Sequence, residues 1–216
     1  MKKHLNPDPN ADTEMPISRR ILGAAFKAFT ENGYAGTSTL EIATRAKVSK
    51  RDLYANFGSK QAVLVACIKN RTARMRLSPD LPVPQTRAML AAALKGFGAT
   101  LLDEVSHPSV IAMFRLAIAE ATRSPEVAQT LQDAGRDAAL QAVAALLGQA
   151  QSAGLIGTGE PSAMALQYLA LLWEGLLVSL LLGRAVRPKA DEIERRAEAA
   201  TRAFLQLHPE LAAGAQ

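Results

Sequence analysis

A short segment, AKVSKRDLYANFGSK (residues 46–60), combines four cations, one tyrosine and two serines at positions suited to helix capping. Ser49 is followed three residues later by Asp52, a spacing that predicts a reciprocal cap at the start of a short helix. At 100° per residue, Leu53 and Phe57 share one face with the preceding Val48. These three apolar side chains should point into a core, so the opposite face of the helix should point outward.

The outward face carries groups that suit DNA. A guanidinium can donate two hydrogen bonds to guanine, and a methyl side chain can contact the thymine methyl group. Arg51 and Ala55 lie at the centre of this face, with Asp52 on one flank. Lys50, the Tyr54 hydroxyl and Lys60, which lies in the first turn of the next helix, are placed to contact phosphates.

A second short helix precedes this one. Ser38 and Glu41 have capping-box spacing, so a helix should begin near Thr39 and end before Lys47. Two short helices joined by a tight turn predict a helix-turn-helix, whose second helix enters the major groove. The alternative is an ordinary solvated helix pair inside a bundle, but the outward tyrosine and the local positive charge favour DNA binding.

Charge and composition limit the function further. Residues 1–76 contain 14 lysines and arginines against six acidic residues, whereas the other 140 residues contain 11 against 14. A basic front half favours contact with a polyanion, either nucleic acid or an anionic membrane. One cysteine, Cys67, excludes an internal disulfide framework, suits a cytoplasmic location and is expected to be a small buried apolar residue, with redox sensing as the alternative. The three histidines are too far apart to predict a metal site, and no cofactor motif is present.

The pattern along the chain predicts an all-α protein of about nine helices. Hydrophobic residues make up 49% of the chain, and they recur with helical periodicity and without strand-like alternation. We expect a mobile tail over residues 1–15, a helix-turn-helix domain with its connecting fourth helix over 16–76, and a helical ligand-binding and dimerisation domain over 77–210. The last domain should contain helices near 86–104, 108–123, 125–153, 161–182 and 189–207.

The stretch AMALQYLALLWEGLLVSLLLG (residues 163–183) has a single charge, Glu174, and is long enough to span a bilayer. A carboxylate in mid-span disfavours insertion into a membrane. We therefore expect a buried helix with a dimer interface on one face, which includes Leu177, and a ligand cavity on the other. The candidates for the cavity wall are aromatic or flexible apolar side chains, with one charged anchor: Phe97, Met113, Phe114, Trp173, and Arg115 or Glu174.

The segment RRILGAAFKAFTENGYAGTSTLEIATRAKVSKRDLYANFGSKQAVL (residues 19–64) resembles the DNA-binding domain of TetR-type transcriptional regulators, and the later helices resemble the AefR-like subgroup more loosely. The resemblance covers Ile17 to about Ile68. It implies that Ser49, Lys50, Tyr54 and Lys60 contact phosphates and that Arg51, Asp52 and Ala55 face bases. Thr39, Lys47 and Asn56 are further DNA-contact candidates. The family usually has glycine where Lys47 stands and often has histidine where Asn56 stands.

The resemblance implies a homodimeric repressor that binds a palindromic operator and is released by a small molecule, which the apolar cavity candidates suggest is apolar or amphipathic. One alternative is a DNA-binding dimer whose second domain only dimerises. Another is a helical enzyme, but no nucleophile–base pair or phosphate-binding glycine loop is present.

Overall fold

The computed structural model describes residues 15–72 and 83–210, and every regular element in these ranges is helical. The all-α prediction is confirmed. The described residues form eleven α-helices and one π-helical turn, so the predicted count of about nine is too low. The difference arises because two predicted helices are each divided into two. Most of the predicted tail and the predicted domain boundary at residues 76/77 lie outside the described residues.

The chain divides into two compact units. The first unit comprises the described residues up to Asn70 together with Leu116–Ala128. Its core is built from side chains that are almost completely buried, including Ile21, Phe29, Ile42 and Leu53. Its helices are α1 (Ile17–Gly36), α2 (Thr39–Arg45), α3 (Lys50–Phe57) and most of α4 (Lys60–Thr72).

The second unit comprises the described residues between Arg71 and Arg115 and those from Gln129 onward. Its core includes Tyr168, whose hydroxyl donates a hydrogen bond to the Leu94 carbonyl at 2.6 Å. The helices after α4 are α5 (Arg87–Val105), α6 (Pro108–Glu120), α7 (Pro125–Leu131), α8 (Asp137–Ser152), α9 (Pro161–Trp173), α10 (Leu176–Leu181) and α11 (Ala190–Leu207). Of these, α6 and α7 are shared with the first unit, and the others belong to the second.

Two breaks in the backbone account for the extra helices. The predicted helix 125–153 is interrupted by a π-helical turn, Gln132–Arg136, between α7 and α8. The predicted helix 161–182 ends at Trp173 and restarts at Leu176, because Glu174 and Gly175 both adopt positive φ angles of 37° and 77°. Apolar residues continue across this break, so hydrophobic periodicity alone could not reveal it.

Within residues 15–72 and 83–210, no helix is both long enough and apolar enough to cross a membrane. The break at Glu174 divides the apolar stretch 163–183 into helices of 13 and six residues. A helix needs about 20 apolar residues to cross the hydrocarbon core of a bilayer. The candidate span of the sequence is therefore not a spanning helix in the structure.

Candidate nucleic-acid interface and ligand cavity

Helix α3 begins with the reciprocal cap that its sequence predicts. The Ser49 hydroxyl accepts a hydrogen bond from the Asp52 N–H at 3.0 Å, and the Asp52 carboxylate accepts one from the Ser49 N–H at 3.1 Å. The Ser49 hydroxyl also donates to this carboxylate at 2.6 Å. These hydrogen bonds from the Ser49 side chain and backbone lower the pKa of the Asp52 carboxyl. Asp52 is therefore engaged in forming the helix end, and base contact by Asp52 stays a prediction.

The outward face of α3 is exposed as expected. Arg51 and Ala55 are exposed, and Arg51 has no ion-pair partner among the described residues. Tyr54 is 44% exposed, an unusual position for a tyrosine, and the Lys50 ammonium lies 5.7 Å from its ring centroid. Leu53 is fully buried on the opposite face. A guanidinium and a phenol are thus exposed on the same helix, and both groups are able to contact DNA.

Helix α2 packs against α3, and its own N-terminal end is capped by Ser38. Ser38 accepts a hydrogen bond from the Glu41 N–H at 3.0 Å, so one half of the predicted capping box forms. The Glu41 carboxylate instead accepts hydrogen bonds from Asn32 and Arg45, both at 2.7 Å. The side-chain oxygens of Thr39 and Tyr54 lie 3.4 Å apart, which brings Thr39 to the exposed surface that Tyr54 occupies on α3.

The turn between α2 and α3 is strained at Lys47, whose φ angle is 54°. This left-handed conformation costs an L-residue with a side chain about 1–2 kcal/mol. Arg20 stabilises the turn by donating hydrogen bonds to two consecutive carbonyls: to Ala46 at 2.8 and 3.1 Å and to Lys47 at 2.5 Å. Lys47 thus adopts the left-handed conformation that glycine favours, and its side chain is exposed.

Lys60 is engaged within the first unit. Its ammonium donates hydrogen bonds to the carbonyls of Tyr34 at 2.8 Å and Thr37 at 3.1 Å, and it lies 4.3 Å from the Tyr34 ring centroid. It thereby satisfies carbonyls near the end of α1, where cations are favoured. Phosphate contact by Lys60 stays a prediction, and Lys60 also has a structural role that sequence reasoning missed.

A basic groove runs from the turn onto α1. Arg19 and Lys27 are exposed, lie eight residues apart on one side of α1, and line this groove together with Lys47. None of the three has an ion-pair partner in the part of the chain that the structure describes. The sequence analysis did not select Arg19 or Lys27, although their i, i+8 spacing, with Gly23 between them, predicts that both lie on the same side of the helix.

The second unit contains an apolar cavity of about 350 Å³. Three of the predicted wall residues, Met113, Phe114 and Trp173, line this cavity, whereas Phe97 is not part of its wall and packs in the core. Cavities of about 300–1,000 Å³ with apolar walls are typical small-molecule sites. Arg136, which follows Gly135 in the π-helical turn, is the charged side chain of the wall.

The two predicted charged anchors lie elsewhere. The Arg115 guanidinium donates to the carbonyls of Leu181 at 3.0 Å and Leu180 at 2.9 Å, so it caps the C-terminal end of α10. Glu174 lies at the break between α9 and α10 and lines a separate groove, beside α11. Leu177, which the sequence predicts at a dimer interface, lines the cavity, and its place in an interface stays a prediction.

Cys67 is buried and behaves as a packed apolar residue. Its thiol donates a hydrogen bond to the Leu22 carbonyl at 3.5 Å. Burial raises the pKa of this thiol to about 12. Because the thiolate is the reactive form, Cys67 is poorly suited to redox sensing.

Comparison with protein families matches both halves of the chain. Residues 21–67 match the family model described as bacterial regulatory proteins, tetR family. Residues 92–208, more than half of the chain, match the model described as AefR-like transcriptional repressor, C-terminal domain.

Individual relatives give the same picture. The chain is 31% identical over 119 residues to the uncharacterized HTH-type transcriptional regulator YvkB of Bacillus subtilis (strain 168), covering 51% of this chain and 61% of that protein. It is 45% identical over 61 residues to the HTH-type transcriptional regulator HbdR of Aromatoleum sp. (strain CIB), covering 27% of each. These alignments span less than two thirds of either curated relative.

Solved structures match over nearly the whole chain. The flavonoid-responsive regulator FrrA is 30% identical with a TM-score of 0.74, and the match covers 91% of this chain and 98% of FrrA. A TetR transcriptional regulator from Agrobacterium tumefaciens is 26% identical with a TM-score of 0.75, covering 91% and 96% of the two chains.

Proposed function

Because the chain belongs to the TetR family of bacterial transcriptional regulators, we propose that it is a cytoplasmic repressor released from its operator by a small apolar or amphipathic molecule. The DNA-binding part of this proposal is supported by the exposed face of α3. In this proposal Arg51 reads a base, and Lys50, Tyr54 and Lys47 contact phosphates; the exposure of all four side chains supports these roles.

The observation that carries ligand response is the apolar cavity. A second unit that only held two protomers together would be expected to pack its core closely, because protein interiors normally leave few voids larger than a water molecule. The cavity of about 350 Å³ therefore favours a ligand-binding regulator over a dimer without a ligand. The related FrrA is described as flavonoid-responsive, which supports a small-molecule effector of some kind.

Helix α6 is the element through which the ligand would act, because it belongs to both units. Met113 and Phe114 lie on the cavity wall, whereas Glu120 ends the helix in the first unit. There one Glu120 carboxylate oxygen, Oε1, accepts a hydrogen bond from the Ala35 N–H at 3.4 Å, and the other, Oε2, is buried with no hydrogen-bond partner among the described residues. A ligand that displaces Phe114 would move α6 and alter this contact.

We further propose that the protein binds a palindromic operator as a homodimer. A two-fold dimer presents two copies of α3, so its half-sites should be about 34–36 Å apart or a multiple of that distance. Selection of duplexes from a random pool by the full-length protein, followed by footprinting, tests the DNA part. An asymmetric single half-site occupied by one protomer would contradict the dimeric proposal.

Release is tested on the selected operator. Compounds that change the fluorescence of Trp173, the single tryptophan, would be screened for loss of the protein–operator complex in a mobility-shift assay. We expect release by compounds that enter the cavity. Binding of such compounds without any loss of operator affinity would favour the alternative in which the second unit does not control DNA binding.

A further inference from the structure

The wall of the cavity is apolar apart from one charged side chain. Leucine, valine and alanine side chains from α5, α6, α8, α9 and α10 surround the space, and Trp173 and Phe114 add aromatic surface. A ligand held there must bury a mainly apolar body. The exception is Arg136, which brings a permanent positive charge to the wall.

The Arg136 charge is only loosely paired within the protein. Among the described residues, the nearest carboxylate to Arg136 is that of Asp137 at 3.9 Å, and the two side chains are 55% and 39% exposed. A solvated pair at this distance contributes little energy and is easily replaced by a better one. Arg115 differs, because its guanidinium already donates to two backbone carbonyls. Arg136 therefore keeps donors that can meet an anion.

Irregular backbone surrounds the same cavity on two sides. The π-helical turn Gln132–Arg136 places Gly135 and Arg136 on the wall, and the break at Glu174–Gly175 separates two wall residues, Trp173 and Leu177. π-Helical turns and positive φ angles in residues other than glycine carry a cost and concentrate at functional sites. Both irregularities occur where the helices border the cavity.

We propose that the cavity binds an amphipathic monocarboxylate, whose apolar body fills the chamber and whose carboxylate pairs with Arg136. The inference rests on the proposed ligand response and names its chemical class. Carboxylate and guanidinium can form two parallel hydrogen bonds, a pairing that Asp137 does not make at its present distance. An alcohol with the same apolar chain would fill the cavity without this pairing.

Decanoate and decan-1-ol form a suitable matched pair of probes. The fluorescence of Trp173 reports on the cavity directly, because the chain contains one tryptophan and it lies on the wall. We expect both compounds to change this fluorescence saturably and decanoate to bind more tightly. Arg136→Gln should weaken decanoate binding at least about tenfold, because it removes a hydrogen bond between charged groups. It should change the affinity for decan-1-ol by less than about twofold.

Two control variants distinguish the effect of losing the Arg136 charge from the effect of losing the folded structure. Arg123→Gln removes an exposed cation that is not on the cavity wall and should leave both affinities unchanged. Arg136→Lys keeps the charge and should restore part of the decanoate affinity. Thermal unfolding of each variant checks that the fold is retained.

Equal weakening of both probes by Arg136→Gln, or no weakening of decanoate, would overturn the carboxylate assignment. Absence of any saturable Trp173 response to decanoate would overturn it as well. The proposed regulatory function fails in a different way: decanoate would bind with the expected dependence on Arg136, yet the operator complex would persist at saturating decanoate.

Discussion

Arg51 stands at the centre of the exposed face of α3, with Lys50 and Tyr54 beside it. Arg51→Ala should relax base preference at one operator position, at a cost of about 1–3 kcal/mol for the preferred base. Lys50→Ala is the matched control. It should weaken binding to all sequences alike and lower the slope of log affinity against log salt by about one. Binding to a panel of single-base operator variants measures both effects. Unchanged base preference in Arg51→Ala would show that another side chain reads the base.

Lys47 adopts a left-handed conformation that glycine would adopt without strain. Lys47→Gly should therefore raise the free energy of unfolding by about 1 kcal/mol, as measured by urea denaturation. Lys47→Ala keeps the Cβ atom and removes the same charge, so it should give no such increase. If Lys47 contacts a phosphate, both variants should lower the salt slope of DNA binding equally. Equal stability of the two variants would show that backbone strain is not the cause.

At the scale of elements, α5 packs closely against α9 at one glycine. A Cβ atom on Gly98 would overlap the Tyr168 hydroxyl, which is already hydrogen-bonded to the Leu94 carbonyl. Gly98→Ala should therefore lower the free energy of unfolding by about 1–3 kcal/mol through overpacking.

Gly96 is the control in the same helix, because a Cβ atom there would meet no atom within 4 Å. Gly96→Ala should raise the free energy of unfolding by about 0.5–1 kcal/mol, since alanine loses less backbone entropy in a helix. Urea denaturation of both variants decides the matter. Similar effects of the two substitutions would argue against close packing at Gly98.

At the scale of the whole molecule, the dimer proposed from family membership needs an exposed surface. The groove between α9 and α11 supplies small side chains that allow close approach, among them Ala199 and Ala203. Because Ala199 is exposed within one protomer and does not line the cavity, a charge there should not prevent the protomer from folding. The groove therefore replaces Leu177, which lines the cavity, as the place to test the interface.

Ala199→Glu should convert the dimer to monomers, because each protomer would bring an uncompensated buried charge to the interface, at a cost of about 3–5 kcal/mol. Operator affinity should fall with it, since one half-site offers fewer contacts. Ala92→Glu, an exposed position on α5, is the control and should remain dimeric. Sedimentation velocity distinguishes the two results. A dimeric Ala199→Glu variant would place the interface elsewhere.

The helix-turn-helix could be predicted in detail because its signals are local. Ser49 and Asp52 are three residues apart, and their mutual hydrogen bonds determine where α3 begins. The burial of Leu53 and the exposure of Arg51 follow from helical periodicity over a few residues. For these features the sequence by itself was sufficient, since each depends on residues within one or two helical turns.

Other features depend on contacts between residues that are distant in sequence. Arg20 stabilises the strained turn at Lys47 from 27 positions away, and Arg115 caps a helix 65 positions further along the chain. The break at Glu174 lies inside a continuous apolar stretch, where periodicity shows no boundary. Only the tertiary structure decided these points, because hydrogen bonds and packing between distant segments determine which charge is engaged and which, like Arg136, reaches a cavity wall.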